Sequence, residues 1–182
     1  MIKLHLGGGQ RFIPGFVHID LADFSHIDNQ HDIRTLPMIA DGSAELIYAC
    51  HVLEYFDWVE VLDVLKEWKR VLAPTGTLRL AVPDFEALAV VYTRDRDLGK
   101  IIGPLYGRWQ IPGSSTTIYH HTVYDFTSLK AALESAGYAD VHRYDWRETI
   151  HKDYDDYSQA YIPHLDKTHG TLISLNVEAT KR

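Results

Sequence analysis

The first twenty residues carry the feature that most constrains how this chain can fold. Ile2–Leu6 is a short, β-prone apolar segment, and the three glycines Gly7–Gly9 follow it directly. A backbone without Cβ atoms can adopt positive φ angles and approach a ligand closely. Val17–Ile19 then predicts a second buried strand, which ends on the carboxylate of Asp20. This pattern is typical of nucleotide-binding α/β proteins, with a plain tight turn as the alternative.

Length, charge and cysteine content narrow the class of protein further. A chain of 182 residues fits one domain with a well-buried core, so we predict a single domain over 1–182. The formal net charge of -7 argues against nucleic-acid binding, which needs a basic face. No apolar run is long enough to span a bilayer. We therefore expect that the protein does not bind membranes. The single cysteine, Cys50, excludes an internal disulfide, which favours a reducing compartment and predicts a cytoplasmic protein.

The middle of the chain predicts a strand, a helix and a second strand. Residues 44–49 form a compact apolar segment that suits a buried parallel strand. Asp57 and Glu60 have the spacing of a capping box, and the helix that they open ends before Pro74. Residues 77–82 read as the next strand. One crossover helix between two strands implies a parallel sheet that is covered on both faces.

The second half of the chain predicts a long insert and then the end of the sheet. Residues 94–124 contain several glycines and few periodic apolar positions, and a loop of that length is usually functional. Thr127 is a plausible N-cap for a helix that Gly137 ends. Residues 138–144 and 172–179 predict the last two strands.

Several ordered segments together carry a family resemblance. The chain resembles a small class I S-adenosylmethionine-dependent methyltransferase of the group called type 11. The matching segments run in order along nearly the whole chain: 4–9, 15–20, 31–37, 50–55, 69–76, 82–84, 105–107, His121, 136–138 and 174–179.

The resemblance implies both a fold and a cofactor. The expected fold is a Rossmann-like three-layer α/β/α sandwich on a mostly parallel seven-stranded sheet with an antiparallel C-terminal strand. The expected cofactor is S-adenosyl-L-methionine. The cofactor-binding residues that the resemblance implies are Gly7, Gly8, Gly9, Arg11, Asp20, Leu21, Asp32, Ile33 and His51. Asp20 would accept hydrogen bonds from the ribose hydroxyls, and Asp32 would contact the adenine, although Asp32 could equally cap a turn.

The chain departs from the family pattern in its first turn. His5 stands where the family usually has an acid, and Arg11 where it often has a third glycine. The stretch from Gly9 to Phe16 is also too short for a full crossover helix, so we expect at most one helical turn there.

The candidates for catalysis lie near the predicted insert. If the acceptor is a hydroxyl, a base must take its proton, and histidine suits that role near neutral pH. His121 fits the family pattern better than its neighbour His120, and Asp84 at a strand tip is a further candidate. Each of the three could instead be purely structural. Glu54 is expected to cap or brace the following helix rather than to contact a ligand. The eleven histidines have no zinc-site spacing, so we predict no metal.

Two functions remain open from the sequence. The first is methyl transfer from S-adenosylmethionine to a small-molecule acceptor, such as a saccharide or another cell-envelope precursor. The second is a non-catalytic S-adenosylmethionine- or nucleotide-binding partner protein, which the unusual first turn would suit. A dinucleotide site fits less well because Phe12 is bulky where a glycine is needed. A homodimer is conceivable through a C-terminal strand at the sheet edge.

Overall fold

Seven of the strands form one sheet. The computed structural model describes all 182 residues, and the sheet order is β3-β2-β1-β4-β5-β11-β8. In chain order the strands and helices are β1 (Ile2–Leu6), β2 (Val17–Asp20), β3 (Asn29–Gln30), β4 (Ala44–Cys50), α1 (Val61–Val71), β5 (Leu72–Pro83), α2 (Phe85–Asp95), α3 (Ile102–Tyr106), β6 (Trp109–Gln110), β7 (Thr117–Ile118), α4 (Phe126–Ser135), β8 (Tyr138–Arg143), β9 (Tyr161–Ile162), β10 (Thr171–Leu172) and β11 (Ser174–Lys181).

The strand directions confirm the predicted fold class. β3, β2, β1, β4 and β5 pair in parallel, whereas β11 runs antiparallel to both of its neighbours, β5 and β8. The expectation that the C-terminal strand lies at the sheet edge is wrong, because β11 is enclosed and the edges are β3 and β8. No helix is long and apolar enough to cross a membrane.

One face of the sheet carries the main hydrophobic core. α1 and α4 pack there, and Leu4, Leu6 and Trp68 belong to a cluster of 29 buried residues. Asp57 and Glu60 form the expected capping contacts just before α1. The prediction that Thr127 caps α4 is wrong, because Asp125 occupies the N-cap and its carboxylate accepts a hydrogen bond from the Ser128 amide. An acid two residues earlier outcompetes threonine in that position.

The opposite face of the sheet combines buried histidines with a small apolar cluster of Ile13, Phe16, Leu46 and Tyr48. Side chains alternate along a strand, so His5 points away from the core that Leu4 and Leu6 enter. The ring of His5 stacks on Tyr48 with centroids 5.4 Å apart, and Tyr48 stacks on His151 at 4.0 Å. Loop residues 7–16 and the segment 144–173 lie on this side, where the Tyr48 hydroxyl donates to Asp156 Oδ2 at 2.6 Å. No helix forms between β1 and β2, which agrees with the expected limit of one turn.

The predicted insert is partly structured. Residues 94–124 contain the end of α2, a 3₁₀ turn, α3 and the small hairpin of β6 and β7. The insert is anchored at the carboxyl end of β4, because the Tyr55 hydroxyl donates to the Gly107 carbonyl at 2.9 Å. The amide of His121 also donates to the Glu54 carbonyl at 2.8 Å. The insert is therefore held against the edge of the sheet where α/β proteins bind ligands.

Candidate functional site

The glycine turn and Asp20 meet at the carboxyl edge of the sheet. Gly7 and Gly9 have φ angles of 64° and 55°, a region that favours glycine. The Gly9 amide donates to Asp20 Oδ2, and the Ala22 amide donates to Asp20 Oδ1, both at 2.8 Å. The Asp20 side chain thus ties the two neighbouring strand tips together. It is only 4% exposed.

Gly8 lies directly over the His5 ring. A Cβ atom at Gly8 would come within 2.3 Å of the ring carbon Cε1 of His5. The ring cannot move aside easily, because His5 is 1% exposed and packs edge-to-face on His18 at 5.2 Å. His5 is therefore a supporting residue beneath the turn, and burial lowers its pKa to about 3, so that it stays neutral.

Replacing Gly8 with alanine should destabilise the turn. We expect the Gly8→Ala variant to lose about 1–3 kcal/mol of unfolding free energy, because the new methyl group overpacks a fully buried ring. Guanidinium unfolding measures the loss. Gly103→Ala is the matched control, since a Cβ there would meet nothing within 4 Å. Equal stabilities of the two variants would contradict the packing of His5 under Gly8.

The other predicted cofactor residues occupy varied positions. Arg11 and Leu21 are exposed beside the turn. Asp32 closes its own turn, since its Oδ1 accepts from the Arg34 amide at 2.9 Å and its Oδ2 pairs with the Arg34 guanidinium at 2.9 Å. Ile33 is buried, and its carbonyl accepts a hydrogen bond from Trp68 Nε1 at 2.8 Å. Asp20 and the glycines are thus held together, while Asp32 lies further along the same edge, after β3.

A buried cluster of His51, Glu54 and His120 lies at the end of β4. The side chain of Glu54 is fully buried, and both of its carboxylate oxygens lack a hydrogen-bond partner. Its Oε1 atom lies 3.6 Å from His51 Nδ1 and 3.6 Å from His120 Nε2. Burial raises the pKa of Glu54 to about 8, whereas burial, followed by the charge of His120, lowers the pKa of His51 to about 3. The expectation that Glu54 caps the following helix is wrong, because neither carboxylate oxygen accepts a hydrogen bond.

The three predicted catalytic residues do not lie together. His120 belongs to the cluster, and burial lowers its pKa. His121 is exposed. Asp84 is buried and is the N-cap of α2, and its Oδ2 atom pairs with Arg143 Nη1 at 3.2 Å. The contacts of Asp84 are therefore those of a helix N-cap and an ion pair. Of the two neighbouring histidines, only His120 lies in the buried cluster.

Sequence reasoning also missed residues that support the cluster. Ser174 on β11 contacts the His51 ring, and the exposed ring of Tyr157 lies 5.3 Å from it. Both come from the C-terminal part of the chain, more than 100 residues from His51. Glu54 left a local signal, since a carboxylate three residues after a histidine can reach it when a single helical turn lies between them.

The sequence and the fold of the chain are both similar to those of known proteins. The sequence model of a family described as a methyltransferase domain matches residues 18–80. Residues 18–80 are therefore similar in sequence to a methyltransferase domain. No curated protein is significantly similar to it in sequence.

Solved structures share the fold of this chain at low sequence identity. One is an S-adenosylmethionine-dependent methyltransferase of Thermotoga maritima, described as a possible histamine N-methyltransferase, at 14% identity and a TM-score of 0.64 over 100% of this chain and 82% of that chain. A second is such a methyltransferase from Methanosarcina mazei, at 17% identity and a TM-score of 0.55 over 98% of this chain and 91% of that chain. A third, from Mesorhizobium loti, has 14% identity and a TM-score of 0.55 over 99% of this chain and 90% of that chain.

S-adenosylmethionine is the cofactor of this domain family, and the residues present fit it. A Cβ at Gly9 would meet no atom within 4 Å, so the turn faces open space. An ionised carboxylate offers about four lone-pair sites, and the two amides use only one site on each oxygen of Asp20. Asp20 therefore keeps acceptor capacity for hydroxyl groups. Nowhere in the structure do three or more histidine, cysteine or acidic side chains form an arrangement that could hold a metal ion.

Proposed function

We propose that this chain transfers a methyl group from S-adenosylmethionine to a small-molecule acceptor that binds beside the end of β4. The observation that carries the proposal is the contact between Gly9 and Asp20, which joins the glycine turn to the strand-tip carboxylate at the carboxyl edge of the sheet. Ligands of open α/β sheets bind at that edge. Holding donor and acceptor in line supplies much of the rate of such a displacement.

The contacts to the donor follow from the residues at this edge. The glycine amides and Arg11 would hold its amino-acid part, and Asp20 with its neighbour Leu21 would hold the ribose. Asp32 and the Ile33 amide would contact the adenine. His51 lies beside the turn because the next residue, Val52, packs against Gly7. A Cβ atom at Gly7 would come within 2.4 Å of the Val52 side chain.

The insert suggests a saccharide or another cell-envelope precursor as the acceptor. Tyr106 and Tyr119 on the insert are 59% and 42% exposed as whole residues. Exposed aromatic faces suit the apolar face of a sugar or a planar ring. Of the three predicted catalytic residues, His120 is the one that this proposal keeps at the acceptor site, ahead of His121 and Asp84, because it alone of the three lies in the buried cluster.

Replacing Asp20 should remove most of the cofactor affinity. We expect Asp20→Ala to weaken the binding of S-adenosylhomocysteine at least tenfold, because the variant loses both the ribose acceptor and the two amide contacts that shape the turn. Titration calorimetry measures the dissociation constant, and circular dichroism checks the fold. Asp23→Ala is the control, since Asp23 is an exposed acid three residues away. Wild-type protein that fails to bind S-adenosylhomocysteine at millimolar concentration would refute the proposed function.

One observation favours the second candidate, a non-catalytic binding protein. Asp20 is almost fully buried and already bonded to the main chain, and His5 replaces the family's acid beneath the turn. Incubation with S-adenosylmethionine and a metabolite pool, with S-adenosylhomocysteine as the measured product, separates the two functions. A cytoplasmic location and a homodimer stay predictions, and light scattering tests the latter.

A further inference from the structure

The carboxyl group of Glu54 is the least satisfied polar group near the candidate site. Its side chain is fully buried, and neither oxygen has a hydrogen-bond partner. Leaving a buried acceptor unpaired is unfavourable, and more so when the group is charged. The main chain of Glu54 is well bonded, since its carbonyl accepts from the amides of His121 and Thr122. The main chain therefore holds Glu54 in place, while no group donates a hydrogen bond to its carboxyl oxygens.

The hydrogen bonds around His51 decide which of its ring nitrogens carries the proton. Asn176 Nδ2 donates to the Ser158 carbonyl at 2.9 Å, so Asn176 Oδ1 is free to accept the Ser174 hydroxyl, also at 2.9 Å. Ser174 has one proton to give and must accept from His51 Nε2, which lies 3.2 Å away. The neutral ring of His51 is thus protonated on Nε2, and its Nδ1 lone pair is directed to the side of Glu54.

The ring of His120 is fixed in the same way from the other side. Its Nδ1 atom lies 3.0 Å from the Pro104 carbonyl, which can only accept, so Nδ1 carries the proton. The Nε2 atom that lies 3.6 Å from Glu54 Oε1 then has a lone pair. Two proton-accepting nitrogens from different parts of the chain therefore flank one proton-accepting oxygen.

The cluster lies next to the glycine turn. β4 pairs with β1 up to the contact between Ala49 and Leu6, and the chain leaves β4 at His51 in the left-handed region, with φ of 52°. Val52 packs on Gly7. His51 is the most accessible member, at 12% side-chain exposure against 6% for His120 and none for Glu54. A molecule beside the turn reaches the cluster through His51.

We propose that His51 and Glu54, with His120 behind the carboxylate, form the proton-accepting unit of the methyl transfer, and that the acceptor is a hydroxyl compound. The inference rests on the proposed function. A neutral hydroxyl is a weak nucleophile unless its proton is removed. Once Glu54 is ionised, three proton acceptors lie side by side with no donor among them, and this arrangement suits that removal. His51 is the catalytic residue, and Glu54 and His120 are positioning residues.

The step balances without a further reactant. The acceptor oxygen forms a bond to the methyl carbon as the methyl–sulfur bond breaks, and the electron pair of that bond stays on the sulfur of S-adenosylhomocysteine. The acceptor's proton moves to His51 Nδ1 and on to Glu54, which holds it more strongly because burial raises the Glu54 pKa to about 8. The unit accepts a proton only while Glu54 is ionised. Turnover should therefore rise with pH up to about 8.

Other titratable groups surround the cluster. The buried hydroxyl of Tyr124 lacks a partner, and burial, followed by the charge of Glu54, raises the pKa values of Tyr124 and Tyr55. Burial also raises the pKa of the Cys50 thiol. Tyr157 lies against His51 on the outside. None of these groups supplies a positive charge that would hold a proton away from the cluster.

The first test measures the resting protonation of the unit without an acceptor. Nitrogen-15 NMR of labelled histidine should show His51 protonated on Nε2 and His120 on Nδ1 at pH 7, with the His51 signals assigned from His51→Asn. Carbon-13 NMR of labelled glutamate should show one carboxyl titrating near pH 8 that is missing in Glu54→Gln. A His51 ring protonated on Nδ1, or a Glu54 carboxyl that titrates between pH 4 and 5, overturns the proposal.

The second test uses turnover. Wild-type protein is incubated with S-adenosylmethionine and separate sets of phenols, sugars, thiols and amines, and S-adenosylhomocysteine is measured. We expect product only with the hydroxyl compounds. Glu54→Gln should lower kcat at least a hundredfold and abolish the rise up to pH 8, while KM and the affinity for S-adenosylhomocysteine change less than threefold. Glu148→Gln, an exposed glutamate, is the control.

The outcomes separate this inference from the proposed function. Turnover only with thiols or amines, or an unchanged kcat in Glu54→Gln, overturns the inference and leaves methyl transfer standing. A wild-type protein that binds no S-adenosylhomocysteine refutes both. A Glu54→Gln variant that loses S-adenosylhomocysteine affinity along with kcat overturns the assignment of Glu54, because the residue then serves donor binding.

Discussion

Lowering the pH from 6.5 to 4.5 should destabilise this protein steeply. Burial lowers the pKa of His5 and of His51 to about 3 and that of His151 to about 4. The unfolded chain takes up these protons below about pH 6.5, whereas the folded protein does not. The stability that the neutral rings contribute is present above pH 6.5 and is lost as the pH falls, at about 1.4 kcal/mol per pH unit for each group.

Glu54 partly opposes this loss. Its raised pKa, about 8, means that the folded state holds a proton that the unfolded chain releases above about pH 4.5. Its contribution therefore grows as the pH falls from 8 to 4.5. The three histidines lower the free energy of unfolding as the pH falls, and Glu54 raises it. The net effect is that of two groups, a slope of about 3 kcal/mol per pH unit. Over two pH units that loss is comparable with the whole stability of a typical domain, about 5–15 kcal/mol.

Urea unfolding at a series of pH values measures this slope. His5→Phe keeps an aromatic ring on Tyr48 and removes one titrating group, so it should reduce the slope by about one proton, or about 1.4 kcal/mol per pH unit. His169→Gln is the control, because the His169 side chain is 85% exposed. A stability that stays flat between pH 6.5 and 4.5 would show that the rings are not buried in neutral form.

Replacing Trp68 with alanine should cost about 3–5 kcal/mol of unfolding free energy. Trp68 is fully buried on α1, its Nε1 atom donates to the Ile33 carbonyl at 2.8 Å, and its ring meets Phe56 edge-on at 6.3 Å. The variant leaves a large cavity in the main core and an unpaired carbonyl. Trp68→Phe should cost less, because the phenyl ring fills part of the cavity.

Guanidinium unfolding compares these variants with Trp58→Ala. Trp58 is 77% exposed, and its removal should change stability by less than about 0.5 kcal/mol. The difference in stability between the two alanine variants tests whether Trp68 on α1 points into the main core. A Trp58→Ala loss as large as that of Trp68→Ala would contradict the orientation of the segment from 57 to 71.

The sheet could be predicted from sequence because its strands carry local signals. Ile2–Leu6 and Ala44–Cys50 are short apolar runs next to turn residues, and both are found as predicted, the second extended by one residue. β5 is longer than the predicted 77–82, because pairing with β4 extends it back to Leu72. The position of β11 inside the sheet could not be read locally, since it depends on pairing with β5 across almost a hundred residues.

The candidate site was predictable only where it lies close together in sequence. Asp20 follows the last glycine of the turn by only eleven residues, and the sequence pattern predicted that the two lie together. Glu54 was misread because its surroundings come from elsewhere: His120 arrives from the insert, and Ser174 from the C-terminal strand. The pKa of a carboxyl depends on burial and on such neighbours, which a local pattern does not contain.

The sequence by itself determined the main strands, the helix between β4 and β5, the glycine turn, the acid at the tip of β2 and the resemblance to S-adenosylmethionine-dependent methyltransferases. Periodicity and turn chemistry act over a few residues, and for that reason they can be read directly from the chain. Only the tertiary structure decided that His5 lies beneath Gly8 and that His51, Glu54 and His120 share one buried space. Those contacts join distant segments, and packing in three dimensions selects them.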